Sequence, residues 1–179
     1  MFKNYLILFF LVLTSCSEDL SQKAKDFSKE KIIIDSHIDT PFQIWRQKNN
    51  TGSSDDITKN TSYHFDYPRA IEGGLNLPFF AIFIPARTET EGTSFNLAVE
   101  LIGMMNEIIK DNPEKFTFIN DPSDIKVLEE NKNLVGIAYG IENGAPIEGK
   151  LENIKYFADL GVNYITCLLY TSPSPRDQR

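Results

Sequence analysis

The sequence predicts a parallel α/β protein, and three observations carry that expectation. Short apolar runs rich in β-branched residues recur along the chain, segments with apolar residues at helical spacing lie between them, and glycine or proline marks the junctions. A composition of 41% hydrophobic and 24% charged residues over 179 positions is that of an ordinary globular domain. It excludes disordered, collagenous and multi-span membrane classes.

Taken in order, Lys31-Ile32-Ile33-Ile34-Asp35 suits a strand buried on both faces, as parallel sheets require. The polar stretch 47–67, with Gly52-Ser53-Ser54-Asp55-Asp56, reads as a long surface loop near that strand's exit. A second strand is expected over 77–84, bounded by Gly73-Gly74 and Pro85. Leu97, Leu101, Met104, Met105 and Ile108 keep to one helical face, and Pro113 stops the pattern. Asp121-Pro122 offers an N-cap with proline at the first helical position, opening a helix through Leu128. Residues 134–141 make the third apolar run; Leu151, Ile154, Phe157 and Ala158 form a helical stripe closed by Gly161; and a fourth strand starts at Val162. That makes about four strand–helix units, with no internal repeat.

The two ends read differently. Lys3 precedes the apolar run 5–13, which is shorter than the roughly 18 residues a membrane span needs, so residues 1–16 are expected to be an export signal. Leu13-Thr14-Ser15-Cys16 resembles the bacterial lipobox, which makes Cys16 a candidate lipidation site; a generic secretory signal is the alternative. Residues 17–30, polar and charged, then read as a tether, and the body as exported and lipid-anchored to the cell envelope, with the outer membrane favoured. Residues 167–179, beginning Cys167-Leu168-Leu169-Tyr170-Thr171-Ser172-Pro173, look like the in-frame translation of a sequencing-library adapter, which points to a truncated gene; a genuine Ser/Pro-rich tail is the alternative.

With the tail set aside and Cys16 acylated, no thiol is left in the body, so any metal must be held by His, Asp and Glu. Residues 17–166 carry about −9, from 15 basic and 24 acidic side chains, with no basic stripe, which argues against a nucleic-acid partner. His37 and Asp39 follow the first strand, and in extended backbone residues two apart point the same way. An imidazole and a carboxylate converging at a strand end suit a zinc-like ion, although a capped turn gives the same tripeptide. Glu142 stands at the end of the third apolar run, on the rim where α/β barrels keep their sites, and a carboxylate has two oxygens with which to bridge two cations. The competing reading is a loop acid beside Asn143-Gly144 turn chemistry. His64 matches no ligand pattern, and Ser36 and Thr40 read as turn hydrogen-bonders.

Four motifs occur in order: Asp35-Ser36-His37-Ile38-Asp39-Thr40-Pro41, Gly73-Gly74 with its following strand, Gly140-Ile141-Glu142-Asn143-Gly144, and Leu160-Gly161-Val162-Asn163-Tyr164-Ile165-Thr166. Together they resemble the membrane (renal) dipeptidase family over roughly residues 32–166. The resemblance implies a (β/α)8 TIM barrel with two zinc ions, of which residues 31–166 hold the N-terminal half. It makes His37 and Asp39 ligands of one zinc and Glu142 the catalytic carboxylate shared by both. The implied reaction is hydrolysis of dipeptides by a metal-bridging water. Where the family continues into a substrate-contacting histidine, this chain has Cys167-Leu168-Leu169. The family's two further histidine ligands, its substrate-binding arginine and a late aspartate have no counterparts, so the chain as written is expected to be inactive and poorly folded, with an open sheet edge. Expected partners are a dipeptide, a lipid membrane through Cys16 and a second copy in a homodimer. Two rivals stand beside this reading: another metal-dependent amidohydrolase on the same barrel, and a non-catalytic peptide-binding surface lipoprotein.

Overall fold

A computed structural model describes residues 20–166. The export signal with Cys16 and the segment 167–179 lie outside the described residues. The elements are α1 (Leu20–Glu30), β1 (Ile33–Ile38), α2 (Thr40–Thr51), α3 (Tyr67–Gly73), β2 (Leu75–Phe83), α4 (Arg87–Glu91), α5 (Ser94–Asp111), β3 (Phe116–Phe118), α6 (Lys126–Glu130), β4 (Val135–Glu142), α7 (Leu151–Asp159) and β5 (Val162–Thr166). Single 3-10 turns, Pro122–Ile125 and Ala145–Ile147, precede α6 and α7. No helix among the described residues is long and apolar enough to cross a membrane.

Every strand pairing is parallel, and the path β1-β2-β4 forms the body of the sheet. Ile84 N–H donates to Glu142 C=O on one side of β4, while Ile137 C=O accepts from Ile119 N–H on the other. Asn143 N–H, on that second side, donates to Thr166 C=O. Since alternate residues of a strand bond opposite neighbours, β3 and β5 share one edge of β4, β3 along its first half and β5 along its second.

Period-two alternation sorts β2 and β4 into two faces. Phe80, Ile82 and Ile84 with Val135, Ile137, Tyr139 and Ile141 pack under Leu97, Ala98, Leu101, Ile102 and Met105 of α5. The other face of β4 is Gly136, Ala138, Gly140 and Glu142, small residues ending in a carboxylate. Near the start of the strands, Leu77, Ala138 and Leu134 are covered by Ile119 and Leu128, and a methyl group on Gly136 would collide with both of those side chains.

Several expectations are revised. β1 is not buried on both faces: among the described residues it lies at the sheet edge and leaves Ile34 51% exposed. A fifth strand, β3, was not foreseen, because three residues carry no readable periodicity. The 47–67 segment is not simply a surface loop. Its first residues belong to α2, and Ile57 and Phe65 enter the core. Asp121 does cap, but the segment opens as a 3-10 turn before α6. Of the expected α7 stripe only Phe157 is buried, and Leu151 is 78% exposed. The 17–30 segment is helical from Leu20 and rests on the α3 end, where Ser28 C=O comes so close to Gly74 that a Cβ there would lie 2.6 Å from it.

Candidate metal centre

β1 is interrupted where its chemistry begins. Asp35 pairs with Pro78 and Ile38 with Phe80, so three steps of β1 match two of β2 and one extra residue bulges at Ser36-His37. Proline offers no N–H to the ladder, and such a bulge re-aims the side chain it carries. His37 N–H is satisfied instead by Asp35 Oδ1 at 3.0 Å.

Asp39 does not continue the strand. It occupies the N-cap position of α2 with φ −79° and ψ 19°, Pro41 sits in the first turn, and its carboxylate makes no capping hydrogen bond. The carboxylate turns to His37, with Oδ1 3.4 Å from Nε2. The capped-turn alternative is therefore not what forms. Glu142 ends β4, between Phe83 of β2 and Thr166 of β5, and its Oε2 lies 3.1 Å from the same His37 nitrogen. Asn143 holds this corner in left-handed backbone (φ 83°), its amide donating to Ile84 C=O at 2.8 Å and its Oδ1 accepting from Ala145 N–H at 3.0 Å.

One donor atom each from His37, Asp39 and Glu142 falls within 4.8 Å of the others. Ligands of a tetrahedral zinc at 2.0–2.2 Å stand roughly 3.3–3.6 Å apart, so the 3.4 Å separation matches such an ion and the 3.1 Å one needs to open by a few tenths of an ångström, while a donor set of one imidazole nitrogen and two carboxylate oxygens suits it. Tyr164 of β5 completes the surroundings, donating its hydroxyl to Ser36 C=O at 2.7 Å and lying 3.5 Å from His37 Nδ1. Burial, then the charges of Glu142, Asp35 and Asp39, push its phenol pKa up, so it stays a neutral hydrogen-bonding group. Beside the donors, Asp39, Phe42, Gln43, Arg46, Phe83 and Glu142 line a cleft of about 250 Å³.

All three residues singled out from sequence thus meet at one point. His64 is exposed and takes no part. Thr40 corrects another expectation: its hydroxyl is buried with no hydrogen-bond partner among the described residues. The roles of Tyr164, Asn143 and the Phe42–Arg46 face of α2 went unread. Asn143-Gly144 announced a turn, but nothing in the linear sequence tells that Tyr164 would reach β1.

Residues 21–172 match the model of the membrane dipeptidase family, peptidase family M19. The chain belongs to that family. The match spans the α1 segment and runs past Thr166 to residue 172. A curated relative, an uncharacterized dipeptidase of Schizosaccharomyces pombe, is 23% identical over 155 residues, covering 81% of this chain and 37% of the yeast protein. Among solved structures, the probable dipeptidase PvdM from Pseudomonas aeruginosa superposes with a TM-score of 0.66 at 20% identity, covering 80% of this chain and 36% of that one. A metallo peptidase from Rhodobacter sphaeroides, liganded with a phosphinate mimic of the dipeptide L-Ala-D-Ala, gives 0.63 at 19% identity over 76% of this chain and 45% of that one. The chain thus spans between about a third and somewhat under half of the length of these relatives. Its parallel sheet and flanking helices are part of the barrel type of the M19 dipeptidases.

Proposed function

We propose that residues 31–166 are the N-terminal, metal-holding half of a zinc-dependent dipeptidase, and that catalysis belongs to a longer polypeptide that supplies the remaining donors. The observation that carries this is the convergence of His37, Asp39 and Glu142 on one point at the strand ends, in a chain of the membrane dipeptidase family. His37 offers its Nε2, the nitrogen that faces both carboxylates. Asp39 and Glu142 bring negative charge to balance cations, and Glu142, anchored at the end of a buried strand, has a second oxygen for a second ion. Two zinc ions held there would polarise an amide carbonyl and make water nucleophilic at neutral pH, so no Ser or Cys nucleophile is needed. The adjoining cleft, with Phe42 and Phe83 on its walls, has room for a small substrate beside the donors. The dipeptide mimic bound by the Rhodobacter sphaeroides protein supports a dipeptide as that substrate.

The test uses the gene product from the unbroken reading frame. Its dipeptidase activity should vanish on chelation and return with zinc, whereas this chain alone should show none; activity indifferent to chelators would sink the metal mechanism. Glu142→Gln should leave at most one zinc per molecule, and two at full occupancy would remove the bridging role. We read Cys16 as the lipid anchor of an exported protein: Cys16→Ser should abolish acyl labelling and release the protein from membranes, and unchanged membrane retention would count against it.

A further inference from the structure

We propose that Tyr164 is a positioning residue for His37, turning its Nε2 toward Asp39 and Glu142, and that Gly140 is what lets the tyrosine do so. This rests on the metal-site reading and adds to it a residue that offers no ligand atom.

The side chain of Tyr164 takes an unusual course. Its own strand, β5, pairs with β4, and Tyr164 is in register with Gly140. The ring lies directly over that glycine: a Cβ at position 140 would sit 2.0 to 2.5 Å from three ring carbons. It then passes Phe79 of β2, ring centroids 5.7 Å apart, and ends on Ser36 and His37 of β1. One residue of β5 therefore spans β4 and β2 to reach β1, and any side chain at position 140 bars the way.

At its end the hydroxyl has one proton and two lone pairs. The proton goes to Ser36 C=O at 2.7 Å, which leaves oxygen lone pairs facing His37 Nδ1 at 3.5 Å. A neutral imidazole that gives its Nδ1 proton to an acceptor keeps the Nε2 lone pair free, and Nε2 is the nitrogen that faces both carboxylates. The same hydrogen bond to Ser36 pins the bulged backbone from which His37 projects, so ring orientation and backbone are held by one group. Glu142 and Tyr164 approach His37 from opposite ring nitrogens, so a metal at Nε2 leaves the tyrosine contact intact.

The test compares the wild-type gene product from the unbroken reading frame with its Tyr164→Phe variant, which keeps the ring and loses the hydroxyl, and its Gly140→Ala variant, which keeps the hydroxyl and displaces the ring. Metal-free proteins are titrated with zinc alone against a chromophoric chelator, and with cobalt(II) alone for its visible absorption bands. Tyr164→Phe should melt close to wild type when metal-free, bind zinc about 10- to 100-fold more weakly, as loss of a supporting hydrogen bond to a ligating histidine typically does, and alter the cobalt spectrum. Gly140→Ala, which also loses the ring's packing, should melt lower but weaken zinc binding and alter the cobalt spectrum in the same way, and the double variant should bind zinc no more weakly than either alone, because both remove one interaction. If Gly140→Ala does not fold, Tyr164→Phe decides. Wild-type affinity and an unshifted cobalt spectrum in Tyr164→Phe would overturn the proposal while leaving the metal site standing. A wild-type chain that takes up neither metal would overturn both.

Discussion

Asp39 and Asp66 both stand at helix N-caps, yet only one of them caps. Asp66 is fully buried, and its carboxylate accepts from Arg69 N–H at 3.0 Å, Thr61 N–H at 3.0 Å and Arg69 Nε at 2.7 Å. Burial alone would raise its pKa, but those donors outweigh it and hold the group below the usual carboxylate range. Asp66→Ala should therefore cost about 2–4 kcal/mol in a chemical-denaturation experiment, the sum of a lost cap and lost charged hydrogen bonds. Asp39→Ala removes no cap bond, so it should change stability by less than about 0.5 kcal/mol, below what a working cap is worth, while abolishing tight metal binding. A loss of stability at Asp39 comparable to that at Asp66 would make it a structural residue after all. The sequence pointed to Asp39 through its neighbour His37. It was silent on Asp66, whose partners are set by how residues 61–69 fold back on themselves.

Elements show where local pattern and tertiary packing part company. The stripe on α7 was legible, yet Phe157 alone among its residues is buried, against Phe95 at 5.3 Å between ring centroids, so Phe157→Ala should cost about 3–5 kcal/mol and Leu151→Ala almost nothing by thermal melting. Gly74 ends α3 at φ 78° with the Ser28 carbonyl against its Cα. Alanine there meets both a disfavoured backbone and a backbone carbonyl, so Gly74→Ala should loosen α1 from α3, seen as faster amide exchange in α1. In the segment after α2, Asp56 is held at a pKa of about 2, below its ordinary 3.8, mainly by hydrogen bonds from Thr58 and Lys59. A depressed carboxylate adds stability above its unfolded pKa and loses it on protonation, so this segment should stay closed above pH 3.8 and open as pH falls through about 2. Fluorescence of Trp45 on the neighbouring helix α2 follows that opening; a transition near neutral pH would contradict it.

For the molecule as a whole, the reach of Tyr164 is informative about shape. Three inter-strand gaps of about 4.8 Å would put β1 about 14 Å from β5 in a flat sheet, farther than a tyrosine and one hydrogen bond extend. The sheet is therefore curled like a barrel wall, with Glu142, His37 and Asp39 on one rim. Its flanking strands leave apolar side chains in water, Ile34 at 51% and Ile165 at 38% exposure. Replacing both with lysine should reduce concentration-dependent self-association of this chain in light scattering, and unchanged scattering would exonerate those edges.

Much of this was written in the order of residues. Parallel α/β architecture, the β2 and β4 strands and the α5 helix follow from local signals, because hydrophobic period and turn chemistry act over a few neighbours, whereas His37, Asp39 and Glu142 stood out locally only as candidates at strand ends and took their expected roles from the family resemblance. Other features needed the folded chain: the bulge that turns His37, the carboxylate of Asp39 that leaves its cap, β3, the burial of Ile57 and Phe65, and the passage of Tyr164 over Gly140. Each of these depends on which residues far apart in sequence come to lie side by side, and strand register and long-range packing decide that only when the sheet closes up.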